Sequence, residues 1–397
     1  MANPLHPVYI EEVLEEKPTL NDIIGPRLGE RFFPLRAQEH YSVAWERFKR
    51  WTPMAGLYDF QDRAEVFGEL PSQRMMTDIM HWAARETIDP REATSSLTKF
   101  EGPAGDIDYG TGVHAETAAQ KDARLVANKV RLMNEAIENS MEYVRMQLLQ
   151  GHITWPPRNA DGSAIAAADM PRQFGQVAIN FAASMLAADA TTLDGGFKQL
   201  ATTLVGVAGE AGTQVAWDNS TTGDVFADVV LIEDLLNHRR NLEFSGMSMI
   251  MAKRVMMEAA KQTAVRDVLL GASADRVRIG QSQIRDEMVA LWGIDVEYNQ
   301  SKWQYVAKGD WGKSYDEVEP SSIQFIPTGR VLIVPKGPLG ELITAPAPGP
   351  AYTFATNLYY WYQSQMQPPW NRELGLGLWA WPVMKYTDQH FIFDAWS

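Results

Sequence analysis

Between Val113 and Gln150 the chain contains neither glycine nor proline, and that uninterrupted stretch restricts the fold more than any other feature of the sequence. Val126, Val130, Met133, Ile137, Met141, Val144 and Leu148 recur at steps of three and four, which sets them along one side of an α-helix. Spacing and punctuation together predict one helix over 115–150. Gly151 supplies the C′ residue that closes it, and Trp155-Pro156-Pro157 cannot extend it. At ~1.5 Å per residue the helix is on the order of 50 Å long, and it exposes more apolar surface than one subunit covers.

The rest of the chain arranges itself around that helix. In the first fifty residues, proline-marked segments lead into "RFFPLRAQEHYSVAWERFKRW", whose aromatics follow no helical period, so the expectation is an extended arm that needs neighbours to bury it. From Met54 to Pro90, apolar residues interspersed with charges flank a Gly68-to-Pro71 turn signal, which predicts two strands joined by a loop. Beyond a small-residue stretch from Asp161 to Gly212, "GDVFADVVLIEDLLNHRRN" and "AKRVMMEAAKQTAVRDVLLG" read as two helices, the second preceded by the apolar run "MSMIM". "QIRDEMVALWG" reads as a third, ended by Gly293. The last hundred residues turn to strand character in "IDVEYN", "IQFIP" and "GRVLIVP", then to a tail rich in Tyr and Trp, with "TAPAPGPAY" as a surface connection. The class is α+β.

Composition narrows the function. With 397 residues and 45% hydrophobic content the chain can bury a real core. It has no cysteine, which removes disulfides, thiol catalysis and thiolate metal sites together. No apolar run is long enough to span a bilayer and the N-terminus has no signal-peptide pattern, so no membrane partner is expected. A net charge of −14 opposes general attraction to nucleic-acid phosphates.

The chemical motifs weaken on inspection. "AKGDWGKS" at 307–314 ends in the Gly-Lys-Ser of a phosphate loop. Such a loop works because a helix follows and aims its N-terminus at the phosphates. Here Pro320 and a strand-like run follow instead, so the segment reads as an exposed loop between two strands. A nucleotide-dependent enzyme using Lys313 and Ser314 is the alternative. The seven histidines are scattered, at 6, 40, 81, 114, 152, 238 and 390, and none forms a zinc-protease pair. Asp106 and Asp108 in "GDIDYGTG" lack the ligand series of a calcium loop. No nucleophile elbow or dinucleotide fingerprint occurs, and "GLGLW" at 375–379 is too short for one. Met247, Met249, Met251, Met256 and Met257 read as core. No catalytic residue, cofactor or metal is expected, and the pattern points to assembly.

The order of arm, loop, long helix and mixed α/β end resembles the major capsid proteins of tailed phages with the Hong Kong 97-like fold, and among them the lambda-type capsid protein E family. The likeness is carried by "RFFPLR" at 31–36, "AEVFGELPSQRMM" at 64–76, "RETIDPREA" at 85–93, "NEAIENSMEYVRMQLLQGHITW" at 134–155 and "FIPTGRVLIVPKGPLG" at 325–340. Residues 160–215 match less well. The resemblance implies an N-terminal arm over 1–51, an E-loop over 52–90, a peripheral domain over 91–174 built on the spine helix 115–150, and an axial domain over 175–397 with return strands to the peripheral domain. It implies a virion shell protein whose hexamers and pentamers enclose double-stranded DNA without sequence-specific binding. Phe32, Phe33, Leu57, Phe60, Arg63, Glu65, Phe67, Arg74 and Arg85 are the expected assembly contacts. An encapsulin-like nanocompartment shares the implied fold, and a tail-tube or connector protein is a further alternative.

Some proteins of this fold join a loop lysine to an asparagine of a neighbour. No lysine lies between Trp51 and Leu97, so the loop cannot donate that amine and a non-covalent shell is expected. The N-terminal stretch holds no long charged coiled-coil segment to act as a built-in scaffold. The expected partners are therefore a separate scaffolding protein, a decoration or cement protein, and a portal, with the arm retained on maturation.

Overall fold

The computed structural model describes residues 27–38, 42–48, 72–88, 118–155, 177–180, 199–200, 217–240, 243–270, 281–299, 302–305, 321–346, 353–354, 360–363, 372–385 and 391–395. Two compact units emerge, each drawn from three separate stretches: unit 1 from 1–45, 76–143 and 341–383, and unit 2 from 46–75, 144–340 and 384–397.

Unit 1 begins with a short helix α1 (Leu28–Phe32) and strand β1 (Leu35–Ala37). Strands β2 (Ser42–Phe48) and β3 (Ser72–Asp78), each of which runs across the boundary of the unit, pair as a two-stranded ribbon. Only Ile79 separates β3 from β4 (Met80–Ile88). β4 leaves the ribbon and pairs antiparallel with β16 (Arg372–Met384) from Arg372↔Ile88 to Ala380↔Met80. The sheet runs β1, β13 (Gly340–Ala345), β16, β15 (Tyr360–Gln363), β14 (Thr353–Phe354), with β4 joined to β16. β16 is central, and Leu374, Leu376, Leu378, Ala380, Trp381 and Val383 along it are all buried. The "GLGLW" segment is thus sheet interior. Trp82 adds a side-chain bond across the ladder, its Nε1 donating to the Ala380 carbonyl at 3.0 Å.

The glycine-free stretch forms the helix that its spacing predicts, α2, over Ala118–Leu149. Gly151 follows with φ 80°, a left-handed conformation that costs glycine nothing. Along its first part the apolar stripe is buried as expected. From Met141 onward every residue to Gly151 is buried, Glu142, Arg145, Gln147 and Gln150 included. A single-stripe reading does not foresee this. At the end of the helix Gln150 is satisfied in this buried setting: its Nε2 donates to the Phe325 carbonyl at 2.8 Å, and its Oε1 accepts from Arg330 at 3.1 Å.

Unit 2 holds a five-stranded sheet in the order β7 (Gln199–Leu200), β17 (Phe391–Asp394), β12 (Arg330–Pro335), β8 (Met247–Met251), β9 (Asp295–Tyr298). β8 is the "MSMIM" run, buried at every position, and β12 is buried from Val331 to Val334. Continuous apolar runs of this kind mark strands covered on both faces. Met249 stands opposite Ile333, and Met251 opposite Val331. These four join one core with Val225, Val229 and Ile232 of α3 (Val225–Arg240), Val255 and Met256 of α4 (Lys253–Ala259), Val265 of α5 (Thr263–Leu270), and Ile284 and Met288 of α6 (Gln281–Trp292). Of the methionine cluster, Met247, Met249, Met251 and Met256 are core, whereas Met257 is half exposed on the outer side of α4.

The segment read as one helix over "AKRVMMEAAKQTAVRDVLLG" is two, α4 and α5, divided at Ala260-Lys261-Gln262. The cause is tertiary. Gln262 turns its side chain to Val225 N and the Trp217 carbonyl, and Thr263 N donates to the Ser220 carbonyl at 2.9 Å. α6 ends as predicted at Gly293, with φ 67°. β5 (His152–Trp155) and β6 (Val177–Asn180) pair antiparallel, as do β10 (Lys302–Tyr305) and β11 (Ser321–Gln324).

Candidate assembly surface

The arm is the first candidate, and the structure changes its role. The sequence reading has neighbours covering Phe32 and Phe33, but their own chain already buries both completely. α1 turns the two rings inward, and the Arg31 guanidinium lies 4.5 Å from the Phe32 ring centroid. Pro34 then redirects the chain into β1, whose three residues are all exposed and which pairs in parallel with β13, Leu35 opposite Leu342. Leu35 keeps about half its surface open, at 49%.

A set of carboxylates on α2 holds the arm at Arg27 and Gly29. Arg27 Nη1 donates to Glu138 Oε2 at 2.6 Å, and Gly29 N donates to Glu142 Oε1 at 2.8 Å. Glu135 lies within the field of Arg27. Burial raises its pKa above the usual carboxylate value and the guanidinium partly offsets that rise. The sequence signal existed: Glu135, Glu138 and Glu142 follow one another at steps of three and four beside the apolar stripe. The apolar stripe alone does not single them out, and one of them, Glu142, is buried.

Further along α2, Lys129 is buried with its Nζ donating to the Thr87 carbonyl at 2.8 Å and 3.5 Å from Glu86. This lysine sits on the helix rather than in the loop and is tied to the end of β4. On β4 itself Arg85 is exposed and 3.6 Å from Glu373 of β16, the kind of surface pair worth about 0–1 kcal/mol. Its side chain therefore remains available to a neighbour. His81 stacks on Trp379 directly opposite it, with centroids 4.7 Å apart, and partial burial there lowers the imidazole pKa. Arg74 lies on β3, in the ribbon. Leu57, Phe60, Arg63, Glu65 and Phe67 fall outside the described residues.

The chemistry of the described residues adds no competing site. Among them no group of three or more His, Asp or Glu side chains is placed to hold a metal ion, and no helix is long and apolar enough to cross a membrane. The 307–314 segment also lies outside the described residues, but its frame is visible. It connects β10 to β11, which pair antiparallel with Tyr305 opposite Ser321. A strand already begins at Ser321, seven positions after Ser314.

No protein-family model and no curated protein matches the sequence. Solved structures do. The chain superposes on the "putative capsid protein of prophage (E.coli CFT073)" with a TM-score of 0.50 at 11% identity, covering 96% of both chains. A phage-related protein from Bordetella bronchiseptica RB50 is similar over 100% of this chain and 98% of its own, with a TM-score of 0.46 and 10% identity. The procapsid structure of satellite phage P4 gives a TM-score of 0.44 at 9% identity, over 96% of this chain and 92% of that one. The chain thus shares the α+β fold of the prophage protein over 96% of its length, and the fold class and capsid resemblance read from the sequence are borne out.

Proposed function

We propose that this chain is the major head protein of a tailed double-stranded DNA phage, building hexamers and pentamers of an icosahedral shell that becomes part of the virion. The observation that carries the reading is the capsid fold shared over 96% of the chain. On this reading residues 1–51 form the arm, 52–90 the E-loop, 91–174 the peripheral domain around α2, and 175–397 the axial domain with its return strands. Leu57, Phe60, Arg63, Glu65, Phe67, Arg74 and Arg85 make contacts between subunits, while Phe32 and Phe33 seat the arm from inside. Individually modest contacts, repeated around closed rings, outweigh the cost of ordering the loops.

A lysine-free stretch from Trp51 to Leu97 supports a shell without loop cross-links, and the net charge of −14 supports an inner wall that leaves packaged DNA free to slide. Scaffolding, decoration and portal proteins are the partners of such a shell. Negative-stain electron microscopy with light scattering, on the chain expressed alone and with a candidate scaffold, tests the reading. Closed polyhedral particles, or hexameric and pentameric rings, are expected. A monodisperse monomer or dimer under every condition would sink the proposal, and a thermal shift with Mg-ATP would then be decisive for the 307–314 segment.

A further inference from the structure

The described stretch of the arm, residues 27–38, is attached at two places of unequal character. At its strand end β1 offers a three-residue parallel ladder with no buried face, and a ladder of that kind specifies register weakly. The ion pair there, Arg36 to Glu341 at 2.9 Å, has an arginine side chain 63% exposed and contributes little. Yet register matters, because Phe32 and Phe33 sit between the two ends and are fully buried. Sliding the arm by one residue, ~3.3 Å along a strand, would carry both rings out of their places.

The discriminating contacts lie ahead of the phenylalanines. Arg27 Nη1 reaches Glu138 Oε2 at 2.6 Å and its Nη2 reaches Asn139 Oδ1 at 3.5 Å. Gly29 N reaches the buried Glu142 Oε1 at 2.8 Å. Glu138 and Glu142 stand one turn apart on α2, and their two donors stand two residues apart on the arm. We propose that the Arg27–Glu138 pair and the Gly29–Glu142 hydrogen bond form a register latch that fixes where the arm sits on α2 and so commits Phe32 and Phe33 to the interior. A one-residue slip breaks the Arg27–Glu138 pair and moves Gly29 N away from Glu142. The Arg27 and Glu138 side chains are 10% and 23% exposed, so solvent screens the pair little and loss of one partner leaves the other poorly hydrated. The latch rests on contacts within the chain and is independent of the shell reading.

Hydrogen exchange of the purified full chain tests it, followed at the amides of Phe33, Gln38 and Leu342, which donate within the arm and across its ladder. Arg27→Ala is expected to speed their exchange by at least about tenfold, with the amides of α2 beyond Met141 unchanged. The charge-exchanged pair Arg27→Glu with Glu138→Arg restores most of the protection, and Arg36→Ala changes it less than about twofold. If Arg27→Ala does not fold, Arg27→Lys, which keeps the charge but loses the planar fork, is judged by the same criteria. Wild-type exchange in the arginine variant, an equal effect of Arg36→Ala, no restoration in the charge-exchanged pair, or acceleration spread evenly through α2 and β16 would each overturn the latch.

Discussion

Gln262 is a buried amide that joins pieces of chain no helix could join. Its Oε1 accepts from Val225 N at 3.0 Å, and its Nε2 donates to the Trp217 carbonyl at 2.9 Å. Trp217 in turn donates its indole N–H to the fully buried Asp228 at 2.9 Å. The start of α3, the break between α4 and α5, and the turn at Trp217 are thereby tied through one side chain. Gly223 makes room for it, since a Cβ there would lie 2.5 Å from Gln262 Nε2 and 2.6 Å from the Asn219 carbonyl. Gln262→Leu keeps the volume but removes both hydrogen bonds, each leaving a buried group short of a partner at about 1–3 kcal/mol. Urea unfolding should show the midpoint falling by the equivalent of about 3 kcal/mol with an unchanged slope. Gly223→Ala should cost a similar amount by pushing the amide off its partners, and the double variant should cost less than the sum. Additive losses would mean that the two positions do not act through one network.

Between elements, the β4–β16 ladder offers a titratable probe in His81. Burial lowers its folded pKa below the ordinary 6.5, so between those two values the unfolded chain holds more protons than the folded one. The contribution is therefore fully present above pH 6.5 and is lost as pH falls through that window. His81→Phe keeps the stack on Trp379 and removes the proton uptake, so the loss of stability between about pH 7 and pH 5 should be smaller in the variant. An identical pH profile would place the acid sensitivity elsewhere. This ladder also marks how far the sequence could be read. α2 was legible because its determinants, the apolar spacing and Gly151, are local, and the same holds for α6 and Gly293. The α4–α5 break was not, because its cause is Gln262 reaching across to Val225. Nor was the pairing of β4 with β16, whose partners are nearly three hundred positions apart in the chain. Arg85 was picked out as a surface contact and remains exposed. Phe32 and Phe33, expected to be covered by neighbours, are buried by their own chain, because apolarity alone does not say whose surface does the covering.

At the scale of the whole molecule, the proposed shell, with no lysine between Trp51 and Leu97 to cross-link it, should come apart completely. Particles dissolved in hot detergent are expected to run as a single-chain band, and a ladder of covalent oligomers would show that a lysine outside the loop, Lys129 and Lys99 included, does the joining. Each compact unit is assembled from three separated stretches of the chain, and this bears on synthesis. β1 must wait for β13, and β4 for β16, before the sheet of unit 1 can close. At roughly 5–20 residues per second, the arm leaves the ribosome tens of seconds ahead of the strands that complete its unit. Until then Phe32 and Phe33 have no finished interior to enter, so the nascent chain presents a sticky aromatic pair for most of its translation. Its yield in a host cell should therefore depend on holding chaperones more than the stability of the finished subunit would suggest.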